Sequence, residues 1–328
     1  MLSQYFRTPW ELNEVSFGLI NSTRIVRNES GKYVSRISDP HFKDRNKMQY
    51  EYELIQSLNQ QEIPFMIPSF EPTLSGLPYL ELSNRTFGRV SHYIHGNIPT
   101  IRNAHHVFEM GKTCGLLLDA FSRVNITSPA SLVPFYDYYR LHPLVSKSTV
   151  ESFIKSPPFT CDRTEMDFVL NSVNELETLL PPFSNLPMQI IHHDLLLTNF
   201  LIDEEGKISG ILDFDFASWD WRIIELANCL QQYIGPKDDL FNIKLIENFL
   251  SGMSTTKARF TIDEIYAIPA LTKLLYIVRL VLRLGKYLSG FDNIDLLQVT
   301  IQQYLFKTRW VENHKQELIY LCKKYVVS

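Results

Sequence analysis

The segment spanning residues 190–221 constrains this chain most, because it places carboxylates among apolar side chains. It reads IIHHDLLLTNFLIDEEGKISGILDFDFASWDW. Three leucines follow Asp194, and a phenylalanine follows both Asp213 and Asp215. A charged group is costly in apolar surroundings unless it is paired, neutralised or bound to a metal. The segment therefore predicts that these three carboxylates have specific partners.

Composition narrows the class of protein. The chain has 328 residues, of which 45% are hydrophobic and 21% charged, and its net charge is −4. These values are typical of a globular protein with one large or two medium domains. Because nucleic-acid binders usually carry a basic face, we expect no nucleic-acid partner. The four cysteines lie far apart without a C-x-x-C pair, which favours reduced thiols and a cytoplasmic location.

The sequence also predicts no membrane association. The N-terminal residues MLSQYFRTPWELNEVSFG lack the long apolar core of a signal peptide. The most apolar stretch, LLYIVRLVLRLGKYL, contains Arg279, Arg283 and Lys286. It is too short and too charged to span a bilayer. We expect a buried helix whose arginines extend to its polar edge.

The pattern of apolar residues divides the chain into two regions. Residues 1–92 read as strands with one helix, KMQYEYELIQSLNQQ. Residues 98–328 read as helices interrupted by one hairpin. We therefore predict an α+β fold with a small, β-rich N-terminal lobe, a hinge at residues 93–97 and a larger, mostly helical C-terminal lobe.

The hairpin carries an oxygen-bearing side chain at each end. FLIDEEGKISGILDF reads as two strands joined by a turn at DEEGK. Such a hairpin returns Asp213 close to Asn199, fourteen residues earlier. Because Mg²⁺ prefers oxygen ligands, Asn199 and Asp213 are predicted metal ligands. Asp194 lies five residues before Asn199, where it is expected to face an incoming hydroxyl rather than the ion.

This spacing meets the needs of phosphoryl transfer, in which metal ions bridge phosphate oxygens and a carboxylate orients the acceptor. His192, Asp194 and Asn199, followed by Asp213 and phenylalanine, have the spacing of the protein-kinase catalytic loop and its metal-binding aspartate. Asp215 stands where protein kinases have glycine. His192 is expected to brace the loop. For Asp194, Asn199 and Asp213, turn and capping duty is the alternative interpretation.

The same segment resembles the superfamily of aminoglycoside phosphotransferases, choline kinases and homoserine kinases, which are small-molecule kinases with a protein-kinase-like fold. The likeness rests on HHDLLLTNFLID and ISGILDFDFASWDWRIIELA, and it extends more weakly over most of the chain. It implies a bilobal fold, Mg²⁺, a small-molecule acceptor, and ATP as the donor with GTP as the alternative. It also implies that Asp194 is the catalytic base and that Asn199 and Asp213 bind the metal.

The resemblance assigns three further acids near this loop. Asp215 would approach a second metal or the acceptor. Asp220 would brace the catalytic loop, although it could also cap the helix that follows, and the two roles are compatible. Glu225 would be structural.

The family's nucleotide-covering loop is similar to GLINST, in which Asn21, Ser22 and Thr23 could donate hydrogen bonds to phosphate. An ordinary strand and turn is the alternative there. The hinge of the family is similar to VSHYIHG, whose backbone would face the adenine. Tyr93 is the candidate nucleotide contact in that hinge.

The family's lysine strand is similar to GKYVSRI, but this chain carries Arg36 there. Arginine binds phosphate through two N–H groups, yet it is longer than lysine and not interchangeable with it. Its expected partner is Glu51 on the following helix, with Glu53 as second choice. A solvated strand residue is the alternative interpretation of Arg36.

An aromatic cluster is the candidate for the site that binds the phosphate acceptor. VPFYDYYRLHPL groups Phe135, Tyr136, Tyr138 and Tyr139. Such a wall can bind a cationic or sugar-like acceptor, and plain packing is the alternative. With Asp215 nearby, an amine-bearing alcohol is expected, such as homoserine, choline, ethanolamine, an aminosugar or an aminoglycoside.

Two other classes of function compete with a kinase. A catalytically silent kinase-like protein, for example one associated with a spore coat, is favoured by Arg36 in place of lysine. A metal-dependent hydrolase would use His192, His193 and Asp194, but it needs more ligands at metal spacing. The sequence leaves the oligomeric state open.

Overall fold

The fold is taken from a computed structural model, which describes residues 1–14, 22–38, 43–82, 86–130, 132–236 and 238–327. The chain forms two compact units. The first comprises Met1–Pro99, Ala120–Ser131 and Thr198–Ala217, and the second comprises Thr100–Asp119, Leu132–Leu197 and Ser218–Ser328. The lobe bounds expected from sequence, 1–92 and 98–328 around a hinge at 93–97, stay a prediction.

An antiparallel sheet dominates the first unit. Its strands are β1 (Glu11–Glu14), β2 (Ser22–Asn28), β3 (Gly31–Ile37), β4 (Phe70–Glu71), β5 (Leu80–Glu81) and β6 (Phe87–His92). They run in the order β1-β2-β3-β6-β4, and β5 also pairs with β6. The predicted turn between β2 and β3 is confirmed, because Asn28 pairs with Gly31 and its side chain accepts the N–H groups of Ser30 and Gly31.

The helix of the first unit, α1 (Arg45–Asn59), begins where Asp44 accepts the N–H of Lys47. Its buried residues follow helical spacing, and they are Met48, Tyr50, Glu51, Leu54, Ile55 and Leu58. Glu51 is therefore a carboxylate on the apolar face of the helix, 3% exposed. A charge in that position requires cationic partners.

The predicted hairpin is confirmed as β8 (Phe200–Ile202) and β9 (Ile208–Ile211). Its turn closes where the N–H of Asp203 donates to the carbonyl of Lys207, and Gly206 takes the positive φ of 82° that the turn requires. Single bridges join the hairpin to Met66 and Asn97 of the same unit.

The remaining elements are mostly helical. The helices are α2 (Ala104–Phe121), α3 (Lys147–Lys155), α4 (Arg163–Leu179), α5 (Ile223–Gln231), α6 (Asp239–Ser254), α7 (Ile262–Leu288), α8 (Ile294–Asn313) and α9 (Lys315–Val326). Two short strands, β7 (Met188–Ile191) and β10 (Ser218–Trp221), form an antiparallel pair in the second unit. The predicted α+β class is confirmed.

Glycine allows α2 and α6 to cross in direct backbone contact. A Cβ on Gly111 would lie 1.9 Å from the carbonyl oxygen of Phe249. A Cβ on Gly252 would lie 1.9 Å from the carbonyl oxygen of Phe108. No side chain fits at either position, so the two glycines set the spacing between these helices.

Helix α7 contains the apolar stretch that the sequence singled out. At 27 residues it is long and apolar enough to cross a membrane, so the expectation that the stretch is too short was wrong in length. However, 67% of its most apolar window is buried in the protein. Arg279 donates to Gln231 and Asn228, and Arg283 pairs with Asp292. This burial is typical of a core helix.

Candidate functional site

The loop that carries Asp194 begins at the end of β7. Ile191, the last residue of β7, pairs with Ser218 of β10. His193 then adopts the left-handed conformation, with φ of 63°. A non-glycine residue in this region costs free energy and is retained where the surroundings hold it. Asp194 follows, half-buried, and its N–H donates to Nδ1 of His192 at 3.3 Å.

Glu225 of α5 fixes the backbone of this loop. Its carboxylate is 1% exposed, and Oε2 accepts the N–H groups of both His192 and His193. Burial raises the pKa of Glu225 to about 7, although His193 and the two N–H groups act in the opposite direction. The resemblance implies only a structural role for Glu225. The structure shows what that role is, because its carboxylate anchors the backbone of the loop.

Asp220 of β10 is a second buried carboxylate beneath the loop. It is 0% exposed, and Oδ2 accepts the N–H of Phe135 at 2.6 Å and bonds to Nε2 of His193 at 3.0 Å. The interpretation of Asp220 as a helix cap is wrong. Helix α5 begins after Arg222, which makes no side-chain cap. Asp220 instead lies within β10, where its carboxylate accepts the backbone N–H groups of Phe135 and Trp221.

Asn199 directly precedes β8 and Asp213 follows β9, so both residues lie at the open end of the hairpin in the first unit. The N–H of Leu212 donates to the carbonyl of Asn199 at 2.8 Å, which closes the hairpin one residue before Asp213. Asp213 adopts the left-handed conformation, with φ of 64° and ψ of 69°. Its side chain is 34% exposed, whereas Asn199 is 9% exposed. Two oxygen-bearing side chains thus flank one end of the hairpin.

Asp213 and Asp215 belong to an ion cluster made by Arg36, Lys43, Arg89, Glu51, Asp213 and Asp215. Arg36 of β3 donates to Asp213 at 3.2 Å and to Asp215 at 3.3 Å. Its guanidinium therefore neutralises the carboxylate that was predicted to hold a metal.

Three cations converge on Asp215. Arg89 of β6 lies 3.2 Å from its carboxylate and Lys43 lies 3.1 Å from it, in addition to Arg36. Burial alone would raise the pKa of Asp215, but Lys43, Arg36 and Arg89 together hold that pKa well below its usual value. The carboxylate is thus ionised and bound to cations of its own unit. Contact with a second metal or with the acceptor stays a prediction.

The expected pairing of Arg36 with Glu51 is wrong. Glu51 instead binds Lys43 and Arg89, both of which are buried. The second choice, Glu53, accepts hydrogen bonds from Gln49, Thr127 and Ser128. The reason is the sheet register, which sets Arg36 directly opposite Arg89. Each arginine therefore takes a different carboxylate and both share Asp215.

Lys43 and Arg89 were not identified from sequence. Lys43 lies seven residues beyond Arg36, outside β3. A lysine shortly before a helix with a buried glutamate is a usable signal for Lys43. No signal in the sequence indicates Arg89, because its role depends on strand register.

The other predicted nucleotide contacts lie on the same sheet or at its edge. Ser22 and Thr23 are in β2. Thr23 pairs directly with Arg36, so the side chains of Thr23 and Arg36 lie on the same face of the sheet. The ring of Tyr93 lies under the ammonium of Lys32, 3.4 Å from its centroid. Asn21 lies outside the residues that the structure describes.

The side chains of the first unit suit a divalent cation and nucleotide phosphates. Asp213 already accepts a cation, Arg36, and Asn199 is a second oxygen-bearing residue at the same end of the hairpin. Mg²⁺ usually takes one or two protein ligands and completes its shell with water and phosphate oxygens. In addition, the buried Nε of Arg36 makes no hydrogen bond. It is a donor that a phosphate oxygen would satisfy.

The geometry does not support a metal-dependent hydrolase. Nδ1 of His192 accepts a backbone N–H, and Nε2 of His193 binds Asp220. Both histidines are buried. Among the described ranges of the chain, no group of three or more His, Cys, Asp or Glu side chains is arranged to hold a metal ion.

Sequence comparison identifies a family over most of the chain. The model of the phosphotransferase enzyme family matches residues 11–259. Among curated proteins, the chain is 37% identical over 91 residues to homoserine kinase from Rhizobium meliloti. That alignment covers 27% of each protein, so the chain spans about a quarter of the length of this relative.

Comparison with solved structures shows the same fold at low sequence identity. A microcompartment-associated aminopropanol kinase superposes with a TM-score of 0.71 and 13% identity, over 97% of this chain and 96% of that chain. An amicoumacin kinase in complex with AMP-PNP, Ca²⁺ and Ami superposes with a TM-score of 0.66 and 17% identity, over 90% and 88%. The resemblance inferred from the sequence is confirmed.

Proposed function

The chain belongs to the phosphotransferase enzyme family and has the fold of solved small-molecule kinases, and from this premise we propose that it transfers the γ-phosphoryl group of ATP to the hydroxyl of a small amine-bearing alcohol. GTP is the alternative donor. Homoserine and aminopropanol, the substrates named for two proteins that this chain resembles, are both alcohols that carry an amine. This shared chemistry supports the choice of acceptor class.

The proposal is carried by the way in which the loop presents Asp194. Glu225 and Asp220 hold the backbone and the ring of the preceding residues from below, and both carboxylates are buried. Asp194 itself is only partly buried. A carboxylate on a loop whose backbone is held in this way suits the task of accepting or orienting the proton of a hydroxyl.

The other residues divide the remaining tasks. Asn199 and Asp213 would hold Mg²⁺, which when bound supplies positive charge to the phosphate oxygens. Arg36 would donate to a phosphate oxygen through its buried Nε. Lys43 and Glu51 form an ion pair, which would take the place of the lysine–glutamate pair of protein kinases, although this lysine lies outside β3.

A catalytically silent binding protein is the second candidate, and one observation favours it. Arg36 occupies the carboxylate of Asp213, and three cations occupy that of Asp215. A site whose acids are neutralised by its own side chains can keep the fold without the metal. The two candidates differ in whether any acceptor becomes phosphorylated.

The test is a screen of amine-bearing alcohols with Mg·ATP and Mg·GTP, followed by Asp194→Asn with the best acceptor. General-base groups contribute about 10²- to 10⁴-fold, so turnover should fall by that order while calorimetry shows unchanged Mg·ATP affinity. Asp167→Asn, an exposed acid of α4 in the same unit, is the matched control and should keep full turnover.

Three outcomes would change the assignment. Nucleotide binding lost together with turnover would make Asp194 a metal ligand or a fold element. An unchanged rate would mean that this loop is not catalytic. Nucleotide binding by the wild-type chain with no acceptor phosphorylated across the screen would put the silent protein first.

A further inference from the structure

A cavity of about 500 Å³ lies within the second unit, beside the aromatic cluster identified in the sequence. One wall is formed by Tyr136, Tyr138 and Tyr139 of the short helical turn Phe135–Arg140. Trp221, at the end of β10, adds a fourth ring, and Tyr136 packs on it with centroids 4.7 Å apart. The end of α4 and the residues that follow it also line the cavity.

We propose that this cavity is a binding site for an organic cation, an amine or quaternary ammonium with an apolar body, and that it is separate from the site of Asp194. Its volume lies within the range of small-molecule sites. Four aromatic residues line it, and the negative π face of an aromatic ring attracts a cation once the cation leaves water. No function proposed above uses this cavity.

The charges of the lining residues have the sign that a cation requires. Asp137 and Glu177 line the cavity, and among the described residues that line it none is Lys or Arg. Arg140 and Lys147 do pair with these acids, at 2.8 and 2.7 Å, but their side chains are 72% and 46% exposed. Exposed ion pairs contribute little, so a desolvated ligand cation can replace either partner at low cost.

The strand register separates the cavity from Asp194. Met188 and Trp221 line the cavity and pair with each other at one end of the β7–β10 ladder. Asp194 lies beyond the other end, past Ile191. Three residues of strand span about 10 Å, and none of residues 192–199 lines the cavity. The proposed phosphoryl transfer at Asp194 would therefore take place outside this cavity.

The packing of Phe135 points to the same separation. Its ring contacts His193 with centroids 4.2 Å apart, and it is 5% exposed. Phe135 is not a lining residue, although the next residue, Tyr136, is. The aromatic cluster thus serves two purposes: Phe135 is packing beneath the loop, and the tyrosines form the cavity.

The experiment uses a probe that has no hydroxyl and so cannot be an acceptor. Benzyltrimethylammonium is titrated into the full-length, nucleotide-free chain by calorimetry, with Trp221 fluorescence as the local signal. A ligand of this size is expected to bind with Kd of about 1 mM. Phenylmethanesulfonate has a similar size and the opposite charge, and it should not bind. No binding of the cation, or equal binding of the anion, would overturn the proposal.

Variants locate the bound cation. Glu177→Gln and Tyr136→Leu should each weaken binding at least threefold, and Trp221→Phe should remove the fluorescence change. Glu175→Gln is the matched control, because Glu175 lies two residues away on α4, is 54% exposed and pairs with Lys273. Circular dichroism checks that each variant is folded.

Binding that survives Glu177→Gln and Tyr136→Leu but is lost in Asp194→Asn would place the cation at the acceptor site and overturn the proposed second site. That result would leave the proposed kinase function intact. Conversely, a chain that phosphorylates no acceptor but binds the cation in the cavity would support this inference alone.

Discussion

Arg36 neutralises two carboxylates of the candidate site, those of Asp213 and Asp215. Its guanidinium lies 3.2 Å from the carboxylate of Asp213, while its buried Nε has no partner. A divalent cation at Asp213 would have to compete with Arg36 for that carboxylate. Arg36 would then turn to the phosphate oxygens. Under the proposed function, Arg36 would serve first as the counter-ion of Asp213 and then as a donor to the nucleotide.

We predict that Arg36→Met strengthens binding of Mn²⁺, measured without nucleotide by electron paramagnetic resonance, because the competing cation is gone. The pair is partly exposed, so the gain should be roughly tenfold, about 1.4 kcal/mol. The same variant should weaken Mg·ATP binding in calorimetry, since one phosphate donor is lost.

Arg27→Met is the control for this prediction. Arg27 is exposed on the neighbouring strand β2, and its replacement by methionine removes the same charge from the chain. It should change neither affinity. Weaker Mn²⁺ binding by Arg36→Met would show instead that Arg36 organises Asp213 for the metal.

At the scale of elements, β7, β10 and α5 act as one support for the Asp194 loop. The β7–β10 ladder sets the direction of the loop, and α5 contributes Glu225 from beneath. Asn228 of the same helix donates to the carbonyl of His193 at 2.8 Å. Backbone donors and acceptors of the loop are therefore satisfied by side chains from one helix, which keeps a strained left-handed residue in place.

We predict a pH dependence of stability that belongs to Glu225. Its pKa rises from 4.5 in the unfolded chain to about 7 in the fold. The native state therefore retains a proton that the unfolded state releases, and this contribution is complete below about pH 4.5 and lost above about pH 7. The free energy of unfolding of the wild type, relative to Glu225→Gln, should fall by about 2 kcal/mol between pH 5 and pH 8.

Urea unfolding at several pH values measures this difference directly. Gln retains an oxygen for the N–H groups of His192 and His193 but does not titrate, so other ionisable groups cancel in the comparison. A difference between the two proteins that stays constant across this range would contradict the assignment.

At the scale of the whole molecule, the candidate residues are divided between the two compact units. Arg36, Asn199 and Asp213 belong to the first, whereas Asp194, His193 and Glu225 belong to the second. The division follows the contacts rather than chain order, because the β8–β9 hairpin joins the N-terminal sheet region.

We predict that Mg·ATP stabilises the full chain against heat. A ligand that binds only the folded state at 100 times its Kd adds about 2.7 kcal/mol, which corresponds to a rise in Tm of roughly 4 °C for a chain of this size. Mg²⁺ alone and ATP with EDTA are the controls, and Mg·GTP tests the alternative donor. Asp213→Ala should lose most of the rise. An equal rise in that variant would remove Asp213 from the nucleotide site.

Local features of the fold followed from the sequence because they depend on near neighbours. The β2–β3 turn, helix α1 and the β8–β9 hairpin with its DEEGK turn all lie where residue pattern and turn chemistry place them. The spacing of Asp194, Asn199 and Asp213 likewise identified the family, since that spacing reflects the length of one loop and one hairpin.

Only the tertiary structure decided which charged groups meet. Arg36, Lys43 and Arg89 come from β3, the segment after it and β6, and each could have paired with any nearby acid. The register of β3 against β6 sets Arg36 opposite Arg89. Burial then forces Glu51 and Asp215 to bind the cations within reach. Sequence spacing carries no information about such pairings, because residues 126 positions apart become neighbours only when the sheet and the hairpin have folded.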